Sequence, residues 1–295
     1  MNGGLSPLKI WFLAARPKTL PAGIVPVLVG GALAFDAGAF HFPAFMAALF
    51  GSILIQVGTN FANDYFDYKK DTDREDRLGP TRVTQAGLVS PRQIITATCI
   101  VFSLAIVAGI YLVYRGGWPI LYIGLASIMC GILYTAGPLA LGYIGLADLF
   151  VLIFYGPVAL AGTYYVQALD APIGIIIAGI PFGMISTAIL TVNNLRDIDS
   201  DKKSGKKSLA VRFGRGFARF EYLLMIIGAV MMALWLGWYL EKPFMALTAL
   251  YLLLALIPAT IVLRSIDGAR LNSALAQTGL LLIVYGLLFV LGWLL

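Results

Sequence analysis

Apolar runs long enough to cross a bilayer recur nine times along this chain of 295 residues, and no other feature restricts its fold so severely. A membrane-spanning helix needs roughly 20 mostly apolar residues, because hydrocarbon offers no partners to backbone N–H and C=O groups. Such runs lie near residues 20–35, 43–62, 94–114, 118–136, 143–166, 173–192, 220–240, 244–263 and 274–295. Strands of a β-barrel would instead alternate in character over about ten residues. The sequence is therefore expected to be all-α: a polytopic membrane helical bundle of nine transmembrane helices, two four-helix halves plus one, in a single integral-membrane domain over 1–295. Pro157, Pro181 and Pro258 fall inside the runs, which membrane helices tolerate.

Charge placement gives an orientation. Of the 21 Lys and Arg residues, 19 fall on the side that receives the N-terminus and the loops after the even-numbered helices, leaving Arg115 and Lys242 for the other. Basic residues concentrate on the cytoplasmic face of short loops, so the N-terminus is expected there. The net charge of +6 is then a topology signal and calls for no nucleic acid. With 60% hydrophobic and 12% charged residues, a soluble globular domain is excluded. The single His41 rules out a histidine-based metal site or triad, and Cys99 and Cys130 fall inside apolar runs as packing residues.

The few charges are not scattered. The windows Asn60 to Arg92 and Asn193 to Glu221 hold 24 of the 36, and both start at the cytoplasmic end of an expected helix, the second and the sixth. If the helix continues, Asn60, Asp64, Asp67 and Asp71 share one face, with Asn63 beside it. In the second window Asn193, Asp197 and Asp201 are spaced by four. Like charges at that spacing destabilise a helix unless a cation compensates them. Carboxylate and amide oxygens without His or Cys suit a hard ion such as Mg²⁺, which takes few protein ligands and shares phosphate oxygens. Two facing acidic stripes would hold a diphosphate through bridging Mg²⁺, with interleaved Lys and Arg neutralising the rest.

The plain alternative is that these are solvated loops, and it is preferred for Glu75, Asp76, Lys203, Lys207, Arg215 and Glu221. An EF-hand is excluded, since the position needing Gly is Asp76 or Lys202. A transporter of an anionic metabolite is the rival from another class, but transporters place polar residues near the midplane, whereas these crowd one end. The segments 63–92 and 193–219 are expected as active-site loops.

At these windows the sequence resembles the UbiA superfamily of membrane prenyltransferases. Asn63, Asp64, Asp67 and Asp71 match the family's Asn-Asp-x-x-Asp-x-x-x-Asp stripe, and Asp197 and Asp201 its second stripe. Within the superfamily the chain is most similar to the branch that prenylates 1,4-dihydroxy-2-naphthoate in menaquinone synthesis. That likeness rests on Asn60 to Asp67, Gly79 to Gly87, Gly142 to Asp148 and Asn193 to Arg212. That branch tends to place its third acid at the position of Asp73, the wider family at Asp71; this chain has both.

The resemblance implies a multi-pass enzyme of the bacterial plasma membrane, its active site facing the cytoplasm. Mg²⁺ and basic residues would stabilise the leaving diphosphate of a polyprenyl diphosphate while the aromatic acceptor attacks the allylic carbocation. Loss of carbon dioxide and a proton would give demethylmenaquinone. A bilayer-facing bundle suits the long tail, and another acceptor, such as 4-hydroxybenzoate, homogentisate or haem, would change only the ring pocket. The implied catalytic acids are Asp64, Asp67, Asp71, Asp197 and Asp201. The metal shell is Asn63, Asp67, Asp71, Asp73, Asp197 and Asp201. Diphosphate contacts are expected from Arg16, Lys18, Asn60, Asn63, Lys69, Arg82, Asn193, Arg196, Lys202 and Lys206. Tyr65, Tyr68, Tyr134 and Asp148 are candidates for the acceptor side.

Overall fold

The computed structural model describes residues 5–70, 82–137 and 140–295. Among these the secondary structure is helical throughout, with no strand. In chain order the α-helices are α1 (Pro7–Ala15), α2 (Leu20–Asp36), α3 (Phe42–Lys69), α4 (Pro91–Gly116), α5 (Trp118–Leu133), α6 (Leu141–Ile144), α7 (Ala147–Ile153), α8 (Ala159–Ala168), α9 (Ile173–Arg196), α10 (Ile198–Lys203), α11 (Leu209–Tyr239), α12 (Leu250–Arg264) and α13 (Gly268–Leu294). Eight segments of the described residues are long and apolar enough to cross a membrane, and α5, at 16 residues, is a shorter apolar helix in the place of the expected fourth span.

Local chemistry sets the boundaries. Ser90 and Gln93 form a reciprocal capping box at the start of α4, with Pro91 in the first turn. The first apolar segment breaks where Arg16 precedes Pro17: the proline ring disfavours a helical predecessor, and Arg16 sits at φ 52° before a 3₁₀ turn over Pro17–Thr19. That break turns α1 aside from α2 and leaves Arg16 and Lys18 at the junction. The run expected from 143 begins its helix only at Ala147, because Gly145 takes a left-handed turn at φ 78°. Between α7 and α8 the chain forms a π-helical turn, Phe154–Val158, around a non-helical Gly156 and Pro157.

Packing at that turn depends on missing side chains. A Cβ on Gly183 of α9 would collide with the Leu152 carbonyl oxygen, and one on Gly156 would lie 2.8 Å from the Gly179 carbonyl. Small residues let membrane helices approach at backbone distance, which substitutes for the hydrophobic drive that lipid removes. The main core lies among α2, α9, α11, α12 and α13, around Phe182, Tyr222, Tyr251, Tyr285 and Phe289. Two of its tyrosines are tied internally: Tyr285 donates to the Ala229 carbonyl at 2.9 Å, and Tyr222 and Thr278 hydroxyls meet at 3.1 Å.

Glu221 corrects the sequence reading. It is 7% exposed, not a solvated loop charge. α11 begins at Leu209 rather than near 220 and breaks at a non-helical Gly214, so Glu221 lies about two turns inside the helix that follows the break, hydrogen-bonded to Thr191 of α9.

Candidate functional site

Two helix ends bring the polar residues together. Asn60, Asn63, Asp64 and Asp67 occupy the last turns of α3 and are all buried. Asn193, Arg196, Asp197 and Asp201 occupy the end of α9 and the start of α10; Asp201 N–H donates to the Asp197 carbonyl at 2.8 Å, so the helical register carries across the junction. Both groups open onto one cavity of about 840 Å³.

Each side chain on the α3 wall has a distinct anchor. Asn60 donates to the Ala15 carbonyl at 2.9 Å and so holds the end of α1 beside the cavity. Asn63 Oδ1 accepts from the Thr135 hydroxyl at 2.5 Å. Asp67 pairs with Arg82 and also accepts from the Tyr143 hydroxyl at 3.2 Å. Asp64 does something else: its two oxygens accept the backbone N–H groups of Val83 and Thr84 at 3.1 and 3.0 Å. It does not line the cavity. It fixes the turn that brings Arg82 over Asp67.

On the α9 wall the Arg196 guanidinium forks onto both oxygens of Asp197 at 2.8 and 2.5 Å. It also donates to Asn193 Oδ1 and to Asn272 Oδ1 of α13, each at 2.7 Å. With its side chain wholly buried, this arginine depends on such charge-assisted bonds to offset desolvation. Asp201 pairs with Lys206 at 3.4 Å.

Tyr143 stands between the walls. Its hydroxyl reaches Asp67, while Lys70 and Lys206 lie 4.1 and 5.3 Å from its ring centroid. Lys70 also donates to the Thr135 and Gly137 carbonyls at 2.6 and 3.2 Å. Partial burial lowers its pKa from the ordinary lysine value; Asp67 opposes this and Lys206 adds to it.

Of the expected site residues, Arg16, Lys18, Asn60, Asn63, Asp67, Arg82, Tyr134, Asn193, Arg196, Asp197, Asp201 and Lys206 line the cavity. Lys69, Lys202 and Tyr68 are exposed and Tyr65 half-buried, none of them on its wall. Asp148 is buried on α7 behind the wall. Asp71 and Asp73 lie outside the described residues. Among the described residues no three acids converge closely enough to hold a metal by themselves.

The sequence pattern alone does not single out Tyr143, Lys70 or Asn272. Tyr143 lies in the stretch 142–148 that carries part of the resemblance, where the charge of Asp148 draws attention away from it. Asn272 is a polar residue in the opening turns of an apolar helix, and that contrast is the signal that could have found it.

Beyond this polar mouth the cavity becomes apolar, walled by Ile106, Ile110 and Val113 of α4 and by Ile120, Ile123 and Ile128 of α5. A charged mouth leading to an oily interior, held among bilayer-length helices, accepts a ligand with an anionic head and an apolar tail. The model of the UbiA prenyltransferase family matches residues 23–283. The chain belongs to the UbiA prenyltransferase family.

Two curated relatives span almost its entire length. The 1,4-dihydroxy-2-naphthoate octaprenyltransferase of Haemophilus influenzae is 33% identical, covering 97% of this chain and 96% of the relative. The enzyme of that description from Escherichia coli strain K12 is 35% identical, covering 98% and 96%. In three dimensions the chain is similar to a UbiA homolog from Archaeoglobus fulgidus bound to GPP and Mg²⁺, with a TM-score of 0.64 over 95% of this chain and 99% of that one. At 17% identity this likeness speaks to the fold alone. It is a multi-pass membrane protein of this fold.

Proposed function

We propose that this chain transfers a polyprenyl group from a polyprenyl diphosphate to 1,4-dihydroxy-2-naphthoate, with loss of carbon dioxide, giving demethylmenaquinone in its quinol form. The observation that carries the reading is the cavity, which puts paired acids and bases at one end and isoleucine-rich walls at the other. The acceptor comes from the naphthoate relatives, which match this chain from end to end.

In this reaction the allylic C–O bond breaks, diphosphate departs with the bonding pair, a ring carbon forms the new C–C bond, and carbon dioxide leaves the ring. Negative charge develops on the departing oxygen. Arg82, Arg196 and Lys206 stand at the mouth to receive it, and fixed cationic donors in a partly dry site stabilise such charge more strongly than water does. The apolar interior keeps water from the allylic cation, which would otherwise be hydrolysed to an alcohol.

The donor set fits Mg²⁺. Asp67, Asp197 and Asp201 with the Asn63 and Asn193 amides offer only hard oxygens, the donor type that Mg²⁺ takes alongside phosphate oxygens. Bound there with the diphosphate, the ion would act as a Lewis acid on the leaving group. In this reading the mouth faces the cytoplasm, on the strength of the 19 basic residues assigned to that side.

The test is an incubation of membranes containing the chain with 1,4-dihydroxy-2-naphthoate, labelled polyprenyl diphosphate and Mg²⁺. A labelled naphthoquinol that disappears on chelation is expected. No labelled product, or equal turnover after chelation, overturns the proposal.

A further inference from the structure

Two helical turns below the mouth, the cavity carries a second polar tier that the diphosphate does not need. Gln56 precedes Asn63 by seven residues on α3, and Ser186 precedes Asn193 by seven on α9. Seven residues are nearly two turns, so each lies on the face of its mouth amide and about 10 Å deeper. Both line the cavity, at 6% and 3% exposure. Tyr155, on the π-helical turn, donates its hydroxyl proton to Gln56 Oε1, and Gln56 Nε2 points at the Thr19 hydroxyl at 3.4 Å. The Ser186 hydroxyl has no hydrogen-bond partner among the described residues.

A buried polar group in an apolar wall is costly unless something satisfies it. An isoprenoid tail has no donor or acceptor, so a chamber serving the tail alone would be lined by hydrocarbon here too. The backbone also departs from regular helix at this level: the π turn, with Gly156 off helical geometry, swings Tyr155 toward α3. Such bulges recur at functional sites because they re-aim one side chain without ending the helix.

We infer that Gln56, Tyr155 and Ser186 form the subsite for the aromatic acceptor, recognising a ring with phenolic hydroxyl groups. Having given its proton to Gln56, the Tyr155 oxygen accepts from one ring hydroxyl. Gln56 keeps its second amide proton for a ring oxygen, and the Ser186 hydroxyl meets the other side of the ring. The inference rests on the proposed prenyl transfer to a hydroxylated ring and names where that ring sits. It moves the acceptor from Tyr65 and Tyr68, which the structure places off the cavity wall.

The experiment measures equilibrium binding of 1,4-dihydroxy-2-naphthoate by ligand fluorescence to the full-length protein in detergent, alongside KM values for both substrates, in wild type, Ser186→Ala and Tyr155→Phe. Ser186→Ala removes an unpartnered hydroxyl and should leave thermal unfolding unchanged, so it stays informative even if Tyr155→Phe is unstable. Each variant is expected to weaken naphthoate binding and raise its KM by about ten-fold while leaving the polyprenyl diphosphate KM unchanged. Unaltered naphthoate binding in Ser186→Ala, or a rise confined to the diphosphate KM, overturns the subsite. Wild type that binds the naphthoate but never prenylates it overturns the proposed reaction instead, leaving the subsite to stand on the binding comparison.

Discussion

Asp64 and Asp67 stand three residues apart on one helix, yet their partners give them different work. Asp67 faces the cavity with Arg82 and Tyr143; Asp64 faces away and holds two backbone N–H groups of the turn that presents Arg82. Asp67→Asn and Asp201→Asn are expected to lower kcat by about 100-fold or more with the helical circular dichroism retained, because each removes a carboxylate from the proposed Mg²⁺ shell. Near-normal rates in both would end their assignment to that shell. Asp64→Asn should instead lower stability by about 1–3 kcal/mol, read from thermal unfolding in detergent, with the Mg²⁺ dependence of turnover unchanged. A shifted Mg²⁺ dependence at unchanged stability would keep Asp64 among the catalytic acids instead. The spacing of the acids was legible in the sequence, but this division was not. It depends on where a turn some 20 residues later folds back, and helical periodicity carries no information about that. Tyr65 and Tyr68 are the opposite case, one that periodicity does decide. Each follows a stripe aspartate by one residue, which on a helix means about 100° around the axis and off the face that matters.

Elements differ in what their glycines do, and substitution separates the two uses. Gly183 of α9 lies against the Leu152 carbonyl with no room for a methyl group. Gly183→Ala should therefore force the π turn away and cost about 1–3 kcal/mol in thermal unfolding. Gly109 of α4 and Gly124 of α5 also line the cavity, but nothing lies within 4 Å of where their Cβ atoms would be. Gly109→Phe and Gly124→Phe should leave the unfolding temperature nearly unchanged and fill the apolar chamber. Turnover should then fall more steeply for long polyprenyl diphosphates than for short ones; equal losses at every length would place the tail elsewhere. Most helices were legible because apolar length decides which segments can cross a bilayer. What escaped were the interruptions at Arg16, Gly145 and Gly156, each a backbone event inside a stretch whose hydropathy hardly changes. Glu221 was misjudged for a related reason: hydropathy sees a charge as a helix boundary, and α11 carries it inside.

At the scale of the whole molecule, three acids of the cavity mouth are held in internal pairs. Asp67 has Arg82, Asp197 has Arg196 and Asp201 has Lys206, with side-chain exposures of 17% or less. Pairs this close and this sheltered are little affected by dissolved salt. Raising ionic strength from about 0.05 to 0.5 M is therefore expected to change the polyprenyl diphosphate KM by no more than about three-fold. A far steeper dependence would mean that long-range attraction by unpaired basic residues dominates capture. The pairing has a kinetic meaning as well. If a diphosphate and Mg²⁺ bind at this mouth, Arg82, Arg196 and Lys206 would be the groups to turn toward phosphate and Asp67, Asp197 and Asp201 those to hold the ion, so arrival would be a change of partners with little net charge moved. Departure would reverse the exchange, and each new round would then wait on three aspartates regaining their basic companions.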